Sequence, residues 1–377
     1  MRVIRLIALI LTLAAANAPA TARAARAIDC PLRDQPYSSR SPLIDLMMKP
    51  EATAVIERDA PGLLAHFWAG EKSITVPSFG SIVTLRSAAG SNAPSDWTAI
   101  DRDLGRLPVT AADKRARCAR YDVDAMPLAV PTHHPAILVF EKMTGFLDAP
   151  SVAAAHAALF GIAQRKGWSI VATDRAGAIT PANLRHFDVV IWNNVSGDAL
   201  TLTQRRVFQS YIEQGGGFVA VHGAGGDPVY FWDWYIDRLI GARFIGHPMG
   251  PQFQEAHVMV TDPASPIVRD LAPGWTMTDE WYSFRPNPRD SGSHILLSLD
   301  EASYSPRSGE RDLRMGDHPI AWTRCVGNGR SFFSAIGHRP ETYSDPHYVR
   351  VLEAGIAWAA GDGATLCRQG REVPRRR

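Results

Sequence analysis

Residues 187–226, FDVVIWNNVSGDALTLTQRRVFQSYIEQGGGFVAVHGAGG, constrain the fold of this chain more than any other stretch. Residues 188–192 form a short apolar, β-branched run. Val207, Phe208, Tyr211 and Ile212 then recur at helical spacing after Thr203, and Gly215, Gly216 and Gly217 close that helix. Residues 218–221 are a second compact apolar run, as in a strand buried on both faces of a parallel sheet. Strand, helix and strand in this order predict a right-handed βαβ crossover and hence an α/β fold. His222 follows the second strand directly. At that edge of an open α/β sheet, loops and helix N-termini converge on ligands.

The alternation extends on both sides. Residues 136–140 and 169–172 read as strands, and between them Val152, Ala155, Leu159 and Ile162 mark a helix closed by Gly167. Further on, residues 232–239 read as an amphipathic, aromatic helix, and 254–261 and 294–299 as strands. Residues 320–325 and 331–336 pair around the turn Gly327-Asn328-Gly329, and residues 348–360 form a closing helix capped by Gly361. Before residue 131 the character changes. Residues 43–64 show helical patterning around Pro50, residues 81–85 suggest a short strand and residues 97–107 a short helix, with no acid, base or metal constellation among them. In PTHHP (131–135) the two adjacent histidines would point to opposite sides of extended chain, which suits a surface loop better than a metal site.

The N-terminus carries the parts of a secretory leader: Arg2 and Arg5, an apolar run over residues 6–15, then small residues such as Ala20-Thr21-Ala22. The apolar run is too short to span a membrane. The expected organisation is therefore a leader over 1–27, an accessory helical region over 28–131, the α/β domain over 132–362 and a basic tail over 363–377, in a periplasmic or secreted protein. Export suits structural disulfides. The four cysteines allow three pairings, and locality favours Cys30 with Cys118 and Cys325 with Cys367. A formal net charge of +2, part of it in the terminal arginines, gives no basis for a nucleic-acid partner. Self-association into a homo-oligomer stays open.

The motifs GGGFVAVHGAGG, WYIDRLIGARFIGHP, DEWYSFRPNPR, LLSLDEASY, MGDHPIAWTR, GNGRSFFSAIGH and GIAWAAG occur in that order. Together they resemble the ThuA-like family, named for trehalose utilisation, over residues 136–361. The resemblance implies a flavodoxin-like, class I glutamine amidotransferase-like three-layer sandwich with a mostly parallel sheet, here with a small, mainly helical N-terminal region added. It also implies a small-molecule carbohydrate ligand, with keto-disaccharides as candidate substrates. Two positions depart from the family pattern. The first loop reads Gly145-Phe146-Leu147-Asp148 where relatives often carry a histidine, so Asp148 would have to take over its role. Arg339 follows the last Gly-His where many relatives have a small hydroxyl residue, which predicts a more basic rim. Glutaminase chemistry fails, because the turn after Val221 offers His222-Gly223-Ala224-Gly225 and no cysteine nucleophile.

Candidate site residues follow from chemistry and position. His222 and His338 each stand where a strand runs out, and both suit proton transfer; Glu280 suits a general acid or base. Alternation in extended chain puts Glu280 and Tyr282 on one side and Asp279 and Trp281 on the other. Glu280 with Tyr282 is the pair expected in the cleft. His247, Tyr282, Asp279, His318 and Asp148 complete the set as substrate-binding candidates. The Asp317-His318 pair suits an oriented base or a structural turn equally well. The aromatic run Tyr230, Phe231, Trp232, Trp234, Tyr235 fits core packing better than a sugar platform. No cofactor is required. A divalent metal on His222, His247, Glu280 and His338 is chemically reasonable, although no HExxH-type spacing supports it. The readings left standing are acid/base isomerisation or hydrolysis of a disaccharide or keto-sugar, a metal-dependent hydrolase using the same cluster, and a non-catalytic sugar-binding protein.

Overall fold

The computed structural model describes residues 28–66, 73–362 and 365–374, so the expected leader lies outside the described residues. Five short helices come first: α1 (Leu43–Met47), α2 (Pro50–Asp59), α3 (Leu85–Ala88), α4 (Thr98–Gly105) and α5 (Ala111–Cys118). They enclose a small core of their own in which Leu46, Ile56, Leu85 and Leu104 are fully buried. The strand expected over 81–85 does not form. Thr84 instead caps α3 in a reciprocal pair with Ser87, and this local alternative outcompetes strand pairing beyond the single bridge from Thr84 to Pro42.

The α/β domain opens with β1 (Ala136–Phe140), α6 (Ala149–Lys166), β2 (Ser169–Thr173), α7 (Pro181–Leu184), β3 (Val189–Asn193), α8 (Leu202–Glu213) and β4 (Gly217–Val221). It continues with β5 (Arg243–Gly246), β6 (Phe253–Val260), β7 (Gly274–Glu280), β8 (Ser283–Arg285) and β9 (His294–Leu299). After these come the two-residue strands β10 (Arg307–Ser308) and β11 (Arg311–Asp312), then β12 (Pro319–Val326), β13 (Gly329–Ser334) and α9 (Pro346–Ala359). Nine strands form one sheet in the order β2-β1-β3-β4-β13-β12-β9-β6-β7. The first five are mutually parallel, and the remaining four extend the sheet in antiparallel fashion. The segment expected as a basic tail contains a hairpin, β14 (Thr365–Arg368) with β15 (Arg371–Pro374).

Register explains how both faces are covered. Trp192, Ala220 and Phe333 are partners across β3, β4 and β13 and therefore project to one face. There Trp192 stacks on Phe208 of α8 and on Tyr235, with ring centroids 5.4 and 4.6 Å apart. Tyr235 belongs to a π-helix over Trp234–Ile240. The aromatic run is thus largely spent on the core, as its spacing suggested. Phe332, one residue before Phe333, points the other way and lies against Gly355 of α9, where an added Cβ would meet the Phe332 ring at 2.4 Å. Disulfides join Cys30 to Cys118 and Cys325 to Cys367, the pairing that locality favoured. The first ties the N-terminal region into a closed loop, and the second ties the terminal hairpin to β12.

Candidate functional site

The chemistry gathers at one edge of the sheet, where parallel and antiparallel strands both end. His222 directly follows β4, β7 ends in Asp279 and Glu280, β5 leads into His247, and the segment after β13 brings Gly337 and His338. The loop after β1 contributes Phe146 and Asp148. These groups line a cleft of about 640 Å³ that contains His222, Glu280, Tyr282, His247, His338 and Asp148. His222 has φ +39°, in the left-handed region, as does its neighbour across the edge, Asn194, at +54°. Such backbone is uncommon outside glycine and gathers where a side chain must be aimed. Asn194 Oδ1 accepts the Gly223 N–H at 3.1 Å and so holds the turn.

Three donor atoms meet at the base of the cleft. His222 Nε2 lies 3.0 Å from His338 Nδ1 and 3.4 Å from Glu280 Oε2, and His338 Nδ1 lies 3.0 Å from the same Glu280 oxygen. Ligands of a tetrahedral zinc with bonds of about 2.0–2.1 Å are separated by about 3.3 Å. The triangle is close to that size. The remaining atoms of each group are held from behind. His222 Nδ1 faces the Ala335 carbonyl at 2.7 Å, so it donates there and leaves Nε2 with its lone pair toward the cleft. His338 Nε2 is 3.2 Å from Asp148 Oδ2. Glu280 Oε1 accepts from Gln252 and lies 3.2 Å from His247 Nδ1. Metal-binding histidines characteristically give their second N–H to a carbonyl or carboxylate. The Tyr282 hydroxyl completes the floor, 2.8 Å from His222 Nε2.

Electrostatics tie the three together. Glu280 is 2% exposed. Burial alone would raise its carboxyl, but the neighbouring imidazoles of His222 and His338, with His247 beside them, outweigh burial and hold it well below the usual carboxylate range. Burial opposes charging of His338, yet the Glu280 carboxylate, with Asp148 behind it, leaves its imidazole raised.

Not every candidate reaches the cleft. Asp279 is fully buried behind it, where its carboxylate accepts from the N–H groups of Glu280, Gly337, His338 and Arg339 and from Thr342 Oγ1. It positions the His338 segment instead of touching a ligand. His318 is likewise buried outside the cleft: its ring sits between Glu301 Oε1 at 2.7 Å and the Tyr282 carbonyl at 2.9 Å, bracing the link between β7 and β8 that carries Tyr282. Burial alone would raise the Glu301 carboxyl, but His318 and the Met315 and Gly316 N–H groups lower it to about 2 from an ordinary 4.5. A lowered carboxyl stabilises the fold above its unfolded value and loses that contribution as pH falls toward the folded one. Glu301→Gln should therefore cost stability above pH 4.5 and flatten the acid dependence between 4.5 and 2, read as urea midpoints across that range.

Residues that the sequence reading passed over also line the cleft: Asn194, Asp227, Phe244 and Gln252, and from the N-terminal region Phe79, Ile82 and Ser87. Burial pushes the Asp227 carboxyl up to about 7 against hydrogen bonds from Ser196 and Gly197. Asn194 carried a usable signal, since it directly follows a strand on the same edge as His222. The N-terminal residues carried none.

A sequence model of the ThuA family, described as trehalose utilisation, matches residues 136–359. Among solved structures, a ThuA-like protein of Bacteroides uniformis shares 22% identity, covers 62% of this chain and 95% of its own, and superposes with a TM-score of 0.52. A ThuA-like protein of Parabacteroides merdae shares 18%, with 64% and 93% coverage and a TM-score of 0.47. A glutamine amidotransferase of Thermotoga maritima shares 10%, with 61% and 100% coverage and a TM-score of 0.37. No curated protein matches the chain.

Proposed function

The chain belongs to the ThuA trehalose-utilisation family, and from that premise we propose that it is an exported carbohydrate-active enzyme whose centre is a divalent metal held by His222, Glu280 and His338. One observation carries the metal: three donor atoms within 3.0–3.4 Å of one another, each with its far side occupied by a partner that fixes its orientation. Two imidazoles and a carboxylate suit zinc or a similar ion, and three protein ligands leave a position open toward the cleft. A bound ion of this class supplies Lewis acidity to a carbonyl or hydroxyl oxygen.

The rest is the work of the chain itself. Asp148 holds His338 by its Nε2 side, and the Ala335 carbonyl fixes the tautomer of His222. With the His222 lone pair engaged by an ion, the Tyr282 hydroxyl becomes available to donate to a substrate oxygen. His247, partly exposed beside Glu280, is placed to carry a proton between cleft and solvent. Phe146 and Phe253, 46% and 40% exposed, lie with ring centroids 6.2 and 5.2 Å from that of His338 and offer apolar faces to the C–H face of a sugar ring. The family supports a sugar as the substrate class, and a disaccharide or its keto derivative is the proposed substrate. Two disulfides and the leader-like N-terminus support export.

The test is a panel of disaccharides and their keto derivatives offered to zinc-loaded and chelator-stripped protein. Conversion by the loaded form alone is the expected result. Equal conversion by both forms would replace the metal with acid/base chemistry on His222, Glu280 and His338. Binding without conversion in either form would leave a sugar-binding protein.

A further inference from the structure

The family match begins at residue 136, but the cleft does not end there. Phe79, Ile82 and Ser87 of the N-terminal region line the same cavity as His222, Glu280 and His338. Several contacts lock this segment onto the loops after β1 and β4. The Ser78 N–H and Ser81 Oγ both donate to the Thr144 carbonyl, at 3.1 and 2.7 Å. The Ile82 carbonyl accepts the Val229 N–H at 3.1 Å. Gly145 lies so close beneath that an added Cβ would meet Ile82 Cγ2 at 2.5 Å. The wall is therefore seated by backbone and close packing. Behind it, Phe79 also packs on the N-terminal core, and the Cys30–Cys118 disulfide closes the loop that contains the whole segment. Such a seat gives a fixed surface, which is what discrimination between ligands requires.

We propose that residues 78–87 are the specificity wall of this enzyme, and that Phe79 and Ile82 bind the sugar ring remote from the one held at the His222–Glu280–His338 centre. The proposal rests on the sugar reading and extends it. The centre stands on the ends of β4, β7 and the segment after β13, whereas the wall comes from outside the sheet and lies over the loops after β1 and β4. A ligand touching both must reach from the sheet edge to the wall, and a cavity of about 640 Å³ falls in the range that holds molecules of disaccharide size. An aromatic and a branched aliphatic side chain suit the C–H face of a pyranose and give nothing to a charged group. The family domain thus provides the chemistry, and the added N-terminal region decides which glycoside reaches it.

The test uses the mature full-length protein with both disulfides formed. Calorimetric titrations with trehalose and with glucose are run on the parent, Phe79→Ala and Phe79→Leu, with bound zinc measured in each. The leucine variant keeps apolar bulk for the N-terminal core and removes only the ring face, so it decides the matter if the alanine variant folds poorly. We expect trehalose affinity to fall about tenfold in Phe79→Ala and a few-fold in Phe79→Leu, while glucose affinity and zinc content stay within about twofold of the parent. Unchanged trehalose affinity in both variants, or equal loss of trehalose and glucose, overturns the wall. A parent that retains zinc yet binds neither sugar overturns the sugar reading itself, and this proposal with it.

Discussion

Zinc affinity is expected to fall by more than about 100-fold in His222→Asn, beyond the 10- to 100-fold that loss of a residue merely orienting a metal ligand costs. Asparagine is the informative replacement because it tolerates the left-handed backbone that His222 adopts at φ +39°, so the change removes the imidazole without forcing the turn open. The substitution deletes one corner of the donor triangle and leaves Glu280 Oε2 with only one of the two histidines that now face it, His338 at 3.0 Å. Competition with a chromophoric chelator gives the affinity. If the variant holds zinc as well as the parent does, His222 is not a ligand. Conversion of any substrate found for the parent should vanish in parallel.

The second large effect is on stability. Asp279→Ala should destabilise the protein by about 3–5 kcal/mol, seen as a lower urea midpoint with an unchanged slope. The reason is the number of donors left behind. Asp279 is 0% exposed and accepts from Gly337, His338, Arg339, Glu280 and Thr342, all in the segment that aims His338 or next to it. Without the carboxylate these buried donors have lost their acceptor, and His338 loses its backbone anchor. Zinc affinity should therefore fall with stability, although Asp279 never faces the cleft. A stability loss below about 1 kcal/mol would show that the segment is held by its other contacts.

Local pattern was enough to locate the sheet edge that carries the site. Apolar runs with β-branched residues marked β1, β3 and β4, and the change to helical spacing marked α6 and α8. A histidine directly after β4, and another just after the strand pair, therefore stand at the edge where open α/β sheets gather ligands. Alternation in extended chain also separated Glu280 and Tyr282, which line the cleft, from Asp279 and Trp281, which do not. Pattern failed where side chains meet across long sequence separations. The backing of His338 by Asp148 and of Glu280 by Gln252 depends on how the loops after β1 and β5 fold back over the strand ends, and no local spacing encodes that. His318 looked chemical because of its neighbours in sequence, yet Glu301 and the Tyr282 carbonyl claim its ring. The strand expected over 81–85 lost to a helix cap, and with it went any hint that this segment reaches the cleft. Adjacent acids and histidines were therefore weak guides to the site, and strand ends were better ones.

The central claim is tested most directly by the zinc that the mature protein keeps after saturation and exhaustive dialysis against metal-free buffer. The account predicts one zinc per chain in the parent and none in a protein carrying both His222→Asn and His338→Ala. A parent that keeps no zinc, or a double variant that keeps as much as the parent, would contradict it.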